Sequence, residues 1–222
     1  MERQTSDRSP FPSSCARTAL ILLAAGNGRR FGSNKLMARI GEKKVYEHML
    51  DKLEKAKGCL RVCVSQYDPI LEAAKERGMR PVKNDAPDLG ISHSIGLGLK
   101  AAIQEAGETL EAAMFLVADQ PLLRQSTVEE LLRAFGGSAK GIAGTRCAGE
   151  DGHRGNPAIF DRKYFRELLA LSGDKGGRQV LMDHPDDILW VLAEPEELMD
   201  IDTPGQLNRL NEQVSNGTIK LD

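Results

Sequence analysis

An excess of charge of either sign is missing from this 222-residue sequence: 30 Lys and Arg stand against 32 Asp and Glu, a formal net charge of -2. No global field draws such a chain onto nucleic acid or an anionic membrane, so an anionic ligand must be held by local chemistry. Long apolar runs are also missing. The longest, residues 19–25 (ALILLAA), is far below the roughly 20 residues that cross a bilayer, and it reads as a buried strand rather than an anchor. The polar, Pro- and Ser-rich start MERQTSDRSPFPSSCAR leads into a glycine loop and not a small-residue cleavage site. No export signal is read, and the expected location is the cytoplasm. The four cysteines, at positions 15, 59, 63 and 147, are too few for a disulfide scaffold and form no CxxC pair for zinc. They are expected to be buried, idle thiols, with Cys59 and Cys63 facing the same side of a strand.

What is present is ordinary globular composition, 41% hydrophobic and 28% charged, at a length that suits one large domain. Residues 1–17, with Pro10, Pro12 and several serines, offer little to bury and read as a flexible tail. The domain is expected over residues 18–222. Short apolar runs at 19–23, 60–65, 113–118, 141–144 and 188–192 alternate with helical periodicities at 45–57, 69–77, 92–106, 127–135 and 204–214. That alternation predicts an α/β fold of three layers, α/β/α, with a mostly parallel, Rossmann-like sheet. Thr127 and Thr203 are read as helix starts, each a hydroxyl cap followed by acid or Pro in the first turn.

Three segments carry chemistry. In LILLAAGNGRRFGSNK (20–35) a buried strand opens into a loop with Gly26, Gly28 and Gly32, whose small residues let backbone amides approach phosphates. The dinucleotide pattern G-x-G-x-x-G fails because Phe31 holds the third position, and no Gly-Lys-Ser/Thr of a Walker loop occurs. The cations Arg29, Arg30 and Lys35 within the loop suit a triphosphate instead. In FLVADQP (115–121) an apolar strand ends in Asp119, and the carboxyl ends of strands in open α/β sheets are where ligands sit. An acid there suggests a hard cation such as Mg²⁺, which takes one or two carboxylates with phosphate oxygens and waters. In MDIDTP (199–204), Asp200 and Asp202 share one side of an extended segment, so either is a candidate second metal ligand. His153, Arg154 and Arg178 are basic groups on loops that suit a phosphorylated acceptor, and GNPAIF (155–160) is read as a turn followed by a strand.

Taken in order, LAAGNGRRFGSNK, VADQP, GNPAIF, GDKGGR (173–178) and DIDTP resemble the molybdenum cofactor cytidylyltransferases, a MobA-like branch of the nucleotidyltransferases with a glycosyltransferase-A-like fold. The resemblance spans about residues 18–210. It implies that Ala24, Ala25, Gly26 and Gly28 meet the nucleotide and that Arg30 and Lys35 hold its phosphates. It further implies that Asp119 and Asp202 bind Mg²⁺, with Arg30, Lys35 and Asp119 counted as catalytic. Gly90, Ser92 and Ser94 fall near the nucleotide, and Asn156 and Arg178 near the ligands. Ala25 stands where guanylyl-transferring relatives carry a second Gly, so LAAG implies CTP. The implied partners are CTP, a phosphorylated molybdopterin-type acceptor and a molybdoenzyme client. A sugar or alditol phosphate acceptor remains an alternative, as does a cofactor-maturation chaperone with little turnover. A nicotinamide-dependent oxidoreductase is disfavoured by the missing third glycine and the three cations.

Overall fold

The computed structural model describes residues 13–26, 31, 34–148 and 154–221. Strand β1 (Thr18–Leu23) is buried at every position, as a strand covered on both faces must be. A small antiparallel hairpin of β2 (Arg39–Ile40) and β3 (Lys43–Lys44) follows. The chain continues through α1 (Val45–Glu54), β4 (Leu60–Ser65), α2 (Asp68–Glu76), β5 (Arg80–Lys83) and α3 (Ile91–Ala106). After these come β6 (Ala112–Val117), α4 (Gln125–Gly136), β7 (Ile142–Arg146) and β8 (Arg154–Asp161). The last elements are α5 (Phe165–Ala170), α6 (Gly177–Asp183), β9 (Ile188–Leu192) and α7 (Pro204–Ser215).

The main sheet has the order β5-β4-β1-β6-β8-β7-β9. Strands β5, β4, β1 and β6 run parallel. Only β8 is reversed, lying antiparallel between β6 and β7, while β9 is parallel to β7. The pleat sorts β1 between two cores. Leu20 and Leu22 pack with Met49 of α1, Ile70 of α2, Leu131 of α4 and Leu210 of α7. On the other face Ala19 and Ile21 pack with Leu99 of α3, Leu168 of α5 and Val180 of α6. The result is the predicted three-layer α/β/α architecture. Helix α3 lies close enough to the sheet that a Cβ on Gly98 would sit 2.4 Å from Ile21 Cγ2, so only a glycine fits that crossing.

Several expectations are corrected. The segment 155–157 is not a turn but part of β8, where the pairing shifts between Gly144 and Thr145. Thr145 Oγ1 there donates to the carbonyls of Gly155 and Pro157, at 3.1 and 3.2 Å. Thr127 does not start α4. The helix begins at Gln125 after Arg124, and the Thr127 hydroxyl donates instead to the buried Glu197 at 2.5 Å. Thr203 does cap α7, through a reciprocal box with Gln206. Residues 13–17 form a 3₁₀ turn rather than tail, and its Cys15 is buried. Cys15 is not an idle thiol. It is paired in a disulfide with Cys59, their Cα atoms 5.0 Å apart, while Cys63 is free and burial pushes its thiol up to about 12. Among the described residues no helix is long and apolar enough to cross a membrane.

Candidate active site

The carboxyl ends of β1 and β6 open into a cavity of about 350 Å³ lined by Ala25, Gly26, Lys35, Gly90, Ser94, Asp119 and Asp174, among others. The chain leaves β1 at Ala24. Its position is fixed by Ala24 N donating to Val64 O (2.8 Å) and Ala118 N donating to Leu23 O (3.0 Å). Residues that the sequence reading missed take the loop carbonyls. Ser65 Oγ donates to Ala24 O, Gln66 Nε2 to Ala25 O and Tyr67 OH to Gly26 O, at 2.8, 2.8 and 3.2 Å. Ser65 ends β4 and Gln66 and Tyr67 follow it, an offset that pairing of β4 with β1 imposes and that no motif marks. Gly28, Arg29, Arg30, Gly32 and His153 lie outside the described residues, and of Arg154 only the backbone is described.

Lys35 opens a 3₁₀ turn capped by Asn34, whose Oδ1 accepts from Leu36 N at 3.1 Å. Its Nζ lies 2.6 Å from Asp119 Oδ2 and 2.9 Å from Asp202 Oδ1, with only 12% of the side chain exposed. Burial opposes the charge on Lys35, but the Asp119 and Asp202 carboxylates outweigh it and hold the ammonium above its usual range. Asp119 sits just past β6, and Ile201 N donating to Asp119 O at 3.1 Å straps the 199–202 segment across that strand end. Lys52 of α1, almost wholly buried, supports the same turn through Pro121 O at 3.1 Å.

The two acids of the DIDTP segment part company. Asp202 joins Lys35, its N–H donating to Gln206 Oε1 at 2.9 Å. Asp200 instead lines a second cavity of about 440 Å³, together with Gln120. Burial, followed by the nearby Asp119, raises its carboxyl to about 6. The second cavity shares Leu23, Ile91 and Asp174 with the first, so the two adjoin. Asn156 and Arg178 belong to its wall and not to the first cavity's.

Gly90 adopts φ +85 at the start of α3, and a Cβ there would fall 2.3 Å from Gly173 O. The start of α3 is thereby docked to the 173–176 loop, with Ser92 N donating to Gly173 O at 3.2 Å. Helical spacing turns Ile91 and Ser94 to the first cavity and Ser92 away from it. Ser94 Oγ is held by Asn84 Nδ2 at 2.9 Å. The structure thus brings Ala25, Gly26, Lys35, Gly90, Ser94, Asp119 and Asp202 together, sets Asn156 and Arg178 in the adjoining cavity, and leaves Ser92 aside.

Comparison with known proteins gives this geometry a context. The model of the MobA-like NTP transferase domain matches residues 20–188. The bifunctional protein GlmU of Azorhizobium caulinodans is 32% identical over 141 residues, which take in 60% of this chain but only 30% of that protein. Among solved structures, the Mycobacterium tuberculosis Rv0371c homolog from Mycobacterium sp. strain JC1 superposes with a TM-score of 0.73 at 24% identity, covering 90% of this chain and 98% of that one. The 4-diphosphocytidyl-2C-methyl-D-erythritol synthase of Anaerococcus prevotii gives 0.72 at 16% identity, covering 92% and 99%.

Proposed function

Because the chain belongs to the MobA-like NTP transferase family, and is a nucleotidyltransferase by that membership, we propose that it moves CMP from CTP to the terminal phosphate of a molybdopterin-type acceptor. One observation carries the reading. A largely buried lysine is held between two carboxylates in a cavity that adjoins a second, more apolar one. The first suits a nucleoside triphosphate and the second the body of an acceptor.

An oxygen of the acceptor phosphate attacks the α-phosphorus of CTP, forming a new P–O bond. The bond from the α-phosphorus to the bridging oxygen breaks, and pyrophosphate leaves with that electron pair. The attacking group is already anionic, so no protein nucleophile is needed and catalysis rests on positioning and charge neutralisation. Lys35 supplies a positive charge to the triphosphate, with Arg30 assigned beside it. Gly26, Gly28 and the backbone at Ala24 and Ala25 approach the phosphates, and Gly90 and Ser94 border the nucleotide.

Asp119 and Asp202 are hard oxygen donors already gathered round one cation. Among the described residues no cluster of three or more candidate ligands occurs. Two carboxylates with phosphate oxygens and waters suit Mg²⁺, which these two residues would hold. When bound, the ion supplies charge neutralisation at the reacting phosphates.

The methyl of Ala25 on the cavity wall narrows the room for a purine, which favours CTP. The name of the A. prevotii synthase, a diphosphocytidyl enzyme of the same fold, favours CTP too, and it also keeps an alditol phosphate as the rival acceptor. The convergence of Lys35, Asp119 and Asp202 favours turnover over the inert binding of a chaperone. The test is incubation with each NTP, Mg²⁺ and either molybdopterin or methylerythritol phosphate. Cytidylylated molybdopterin is expected; efficient use of GTP or ATP, or of the alditol phosphate instead, would overturn the assignment.

A further inference from the structure

Asn84, just past β5, does not line the first cavity, yet it holds a residue that does. Its side chain is buried, with 1% of the residue exposed. Asn84 N donates to Ser65 O at 2.9 Å, which joins it to the residue whose hydroxyl fixes the Ala24 carbonyl. Ala86 N donates to Asn84 Oδ1 at 3.0 Å, and Asn84 Nδ2 donates to Ser94 Oγ at 2.9 Å. A backbone N–H can only donate, so the side-chain atom facing Ala86 is the amide oxygen and the one facing Ser94 is the NH₂. Both ends of the amide are engaged, and its orientation is fixed.

That orientation decides what Ser94 can offer a ligand. A hydroxyl holds one proton to donate and lone pairs to accept. Asn84 occupies the accepting side, and among the described residues no protein group accepts the Ser94 proton. Ser94 is 5% exposed and lines the first cavity, where a buried donor without an acceptor is costly unless a ligand supplies one. Its chain neighbours on the same wall are Pro87, Asp88, Gly90 and Ile91, which include an acid and no cation. Such a set disfavours a phosphate and suits a neutral nucleobase. Cytosine carries two acceptors side by side, a carbonyl oxygen and an unprotonated ring nitrogen.

We propose that Asn84 is a positioning residue for the nucleobase: it fixes Ser94 as a hydrogen-bond donor, and Ser94 meets the acceptor edge of the cytosine. The assignment rests on the reading of the first cavity as the CTP site. Reversing the Asn84–Ser94 bond should therefore spoil recognition of the base. Asn84→Asp keeps the shape, but a carboxylate only accepts. Ser94 would then donate to residue 84 and turn lone pairs toward the acceptor edge of the base.

Full-length protein is titrated by calorimetry with CTP·Mg²⁺ and, separately, with tripolyphosphate·Mg²⁺, which has the phosphates without the nucleoside. The titrations are run at about pH 8 to keep the new carboxyl ionised. Asn84→Asp should weaken CTP binding by about tenfold or more, the scale of a buried hydrogen bond lost with its partner left unpaired. Tripolyphosphate affinity should stay within about twofold, which shows that the variant is folded and that the added charge is not the cause. Ser94→Ala should lose CTP affinity to a similar extent, and the double variant should lose no more than either single one. An equal loss of both ligands in a folded Asn84→Asp protein, full CTP affinity in Ser94→Ala, or summed losses in the double variant would each overturn the proposal. Should Asn84→Asp not fold, the Ser94→Ala result decides. Wild-type protein that binds CTP no more tightly than tripolyphosphate would instead overturn the reading of the cavity as a nucleotide site.

Discussion

The two halves of the sheet build different cavities. The carboxyl ends of the parallel half, β5-β4-β1-β6, carry Asp119 and the loop of Ala25 and Gly26, with Lys35 beside them. The half containing the reversed β8 supplies rings, through Phe160 and Trp190, to a wall that also carries Asn156 and Arg178. Parallel strands deliver all their carboxyl ends to one edge, so charged loops accumulate there. A reversed strand lays its side chains along the cavity instead. Charge handling and recognition of the acceptor body are thereby separated, and each substitution should disturb one side more than the other.

The largest effect is expected where charge is removed from the parallel side. Lys35→Ala leaves Asp119 and Asp202 facing each other without their cation, and pyrophosphate release from CTP should slow by about 10²–10³ or more, the usual cost of a lost oxyanion-type donor. Wild-type-like turnover would show that the ion-paired lysine is structural only. Asp119→Asn and Asp202→Asn should each cost about 10² in rate, with part recovered at high Mg²⁺ or with Mn²⁺. Asp200→Asn should instead raise the acceptor KM. Metal rescue of Asp200→Asn but not of Asp202→Asn would reverse the two assignments.

On the mixed side, Arg178→Ala should raise the acceptor KM by about tenfold and leave the KM for CTP unchanged. An equal rise in both would merge the two cavities functionally. The scaffold between them is probed by Gly98→Ala. The new methyl would collide with Ile21 of β1, push α3 off the sheet and cost about 1–3 kcal/mol, read as a lower Tm.

The smallest effect is expected at the foot of β9. Asp187 accepts from the Tyr164 hydroxyl and Gly141 N and pairs with Lys163 at 2.7 Å. Its hydrogen bond from Lys163, then that from Tyr164, holds its carboxyl well below the usual range. A folded-state pKa below the unfolded one means the stabilisation is present above about pH 4 and is lost as pH falls through the folded value. Asp187→Asn should therefore lower stability by about 1 kcal/mol near neutrality, because the site is partly open to solvent. The gap from wild type, measured by denaturant unfolding, should close in strong acid. A gap independent of pH would rule out the charge as its cause.

The parallel half was also the half legible in the sequence. The cores of β1 and β6 are continuous apolar runs, β4 is apolar at four of its six positions, and the acid just past β6 and the cation-bearing glycine loop announce their chemistry locally. Strand β8 was hidden because Gly155, Asn156 and Pro157 have turn chemistry, yet the pairing shift at Gly144 accommodates them inside a strand. Strand β5 contains Pro81 and pairs on one side only, as edge strands allow, while α5 and α6 are too short to show a helical period. Parity alone put Asp200 and Asp202 on one side. Only the strap from Ile201 N to Asp119 O, which fixes how the segment crosses β6, separates them. Ser65, Gln66 and Tyr67 act through carbonyls forty-one residues away in sequence, a relation that exists only once β1 and β4 are paired.

Transfer of a nucleotidyl group, rather than a phosphoryl group or plain hydrolysis, is tested most directly by following two labels in parallel reactions with the molybdopterin-type acceptor and Mg²⁺. One CTP is radiolabelled at the α-phosphorus and the other at the γ-phosphorus. The α label should appear on the acceptor and the γ label in pyrophosphate, in equal amounts, and both should be lost in Lys35→Ala. A γ label on the acceptor, or an α label recovered only as free CMP, would contradict cytidylyl transfer at Lys35, Asp119 and Asp202.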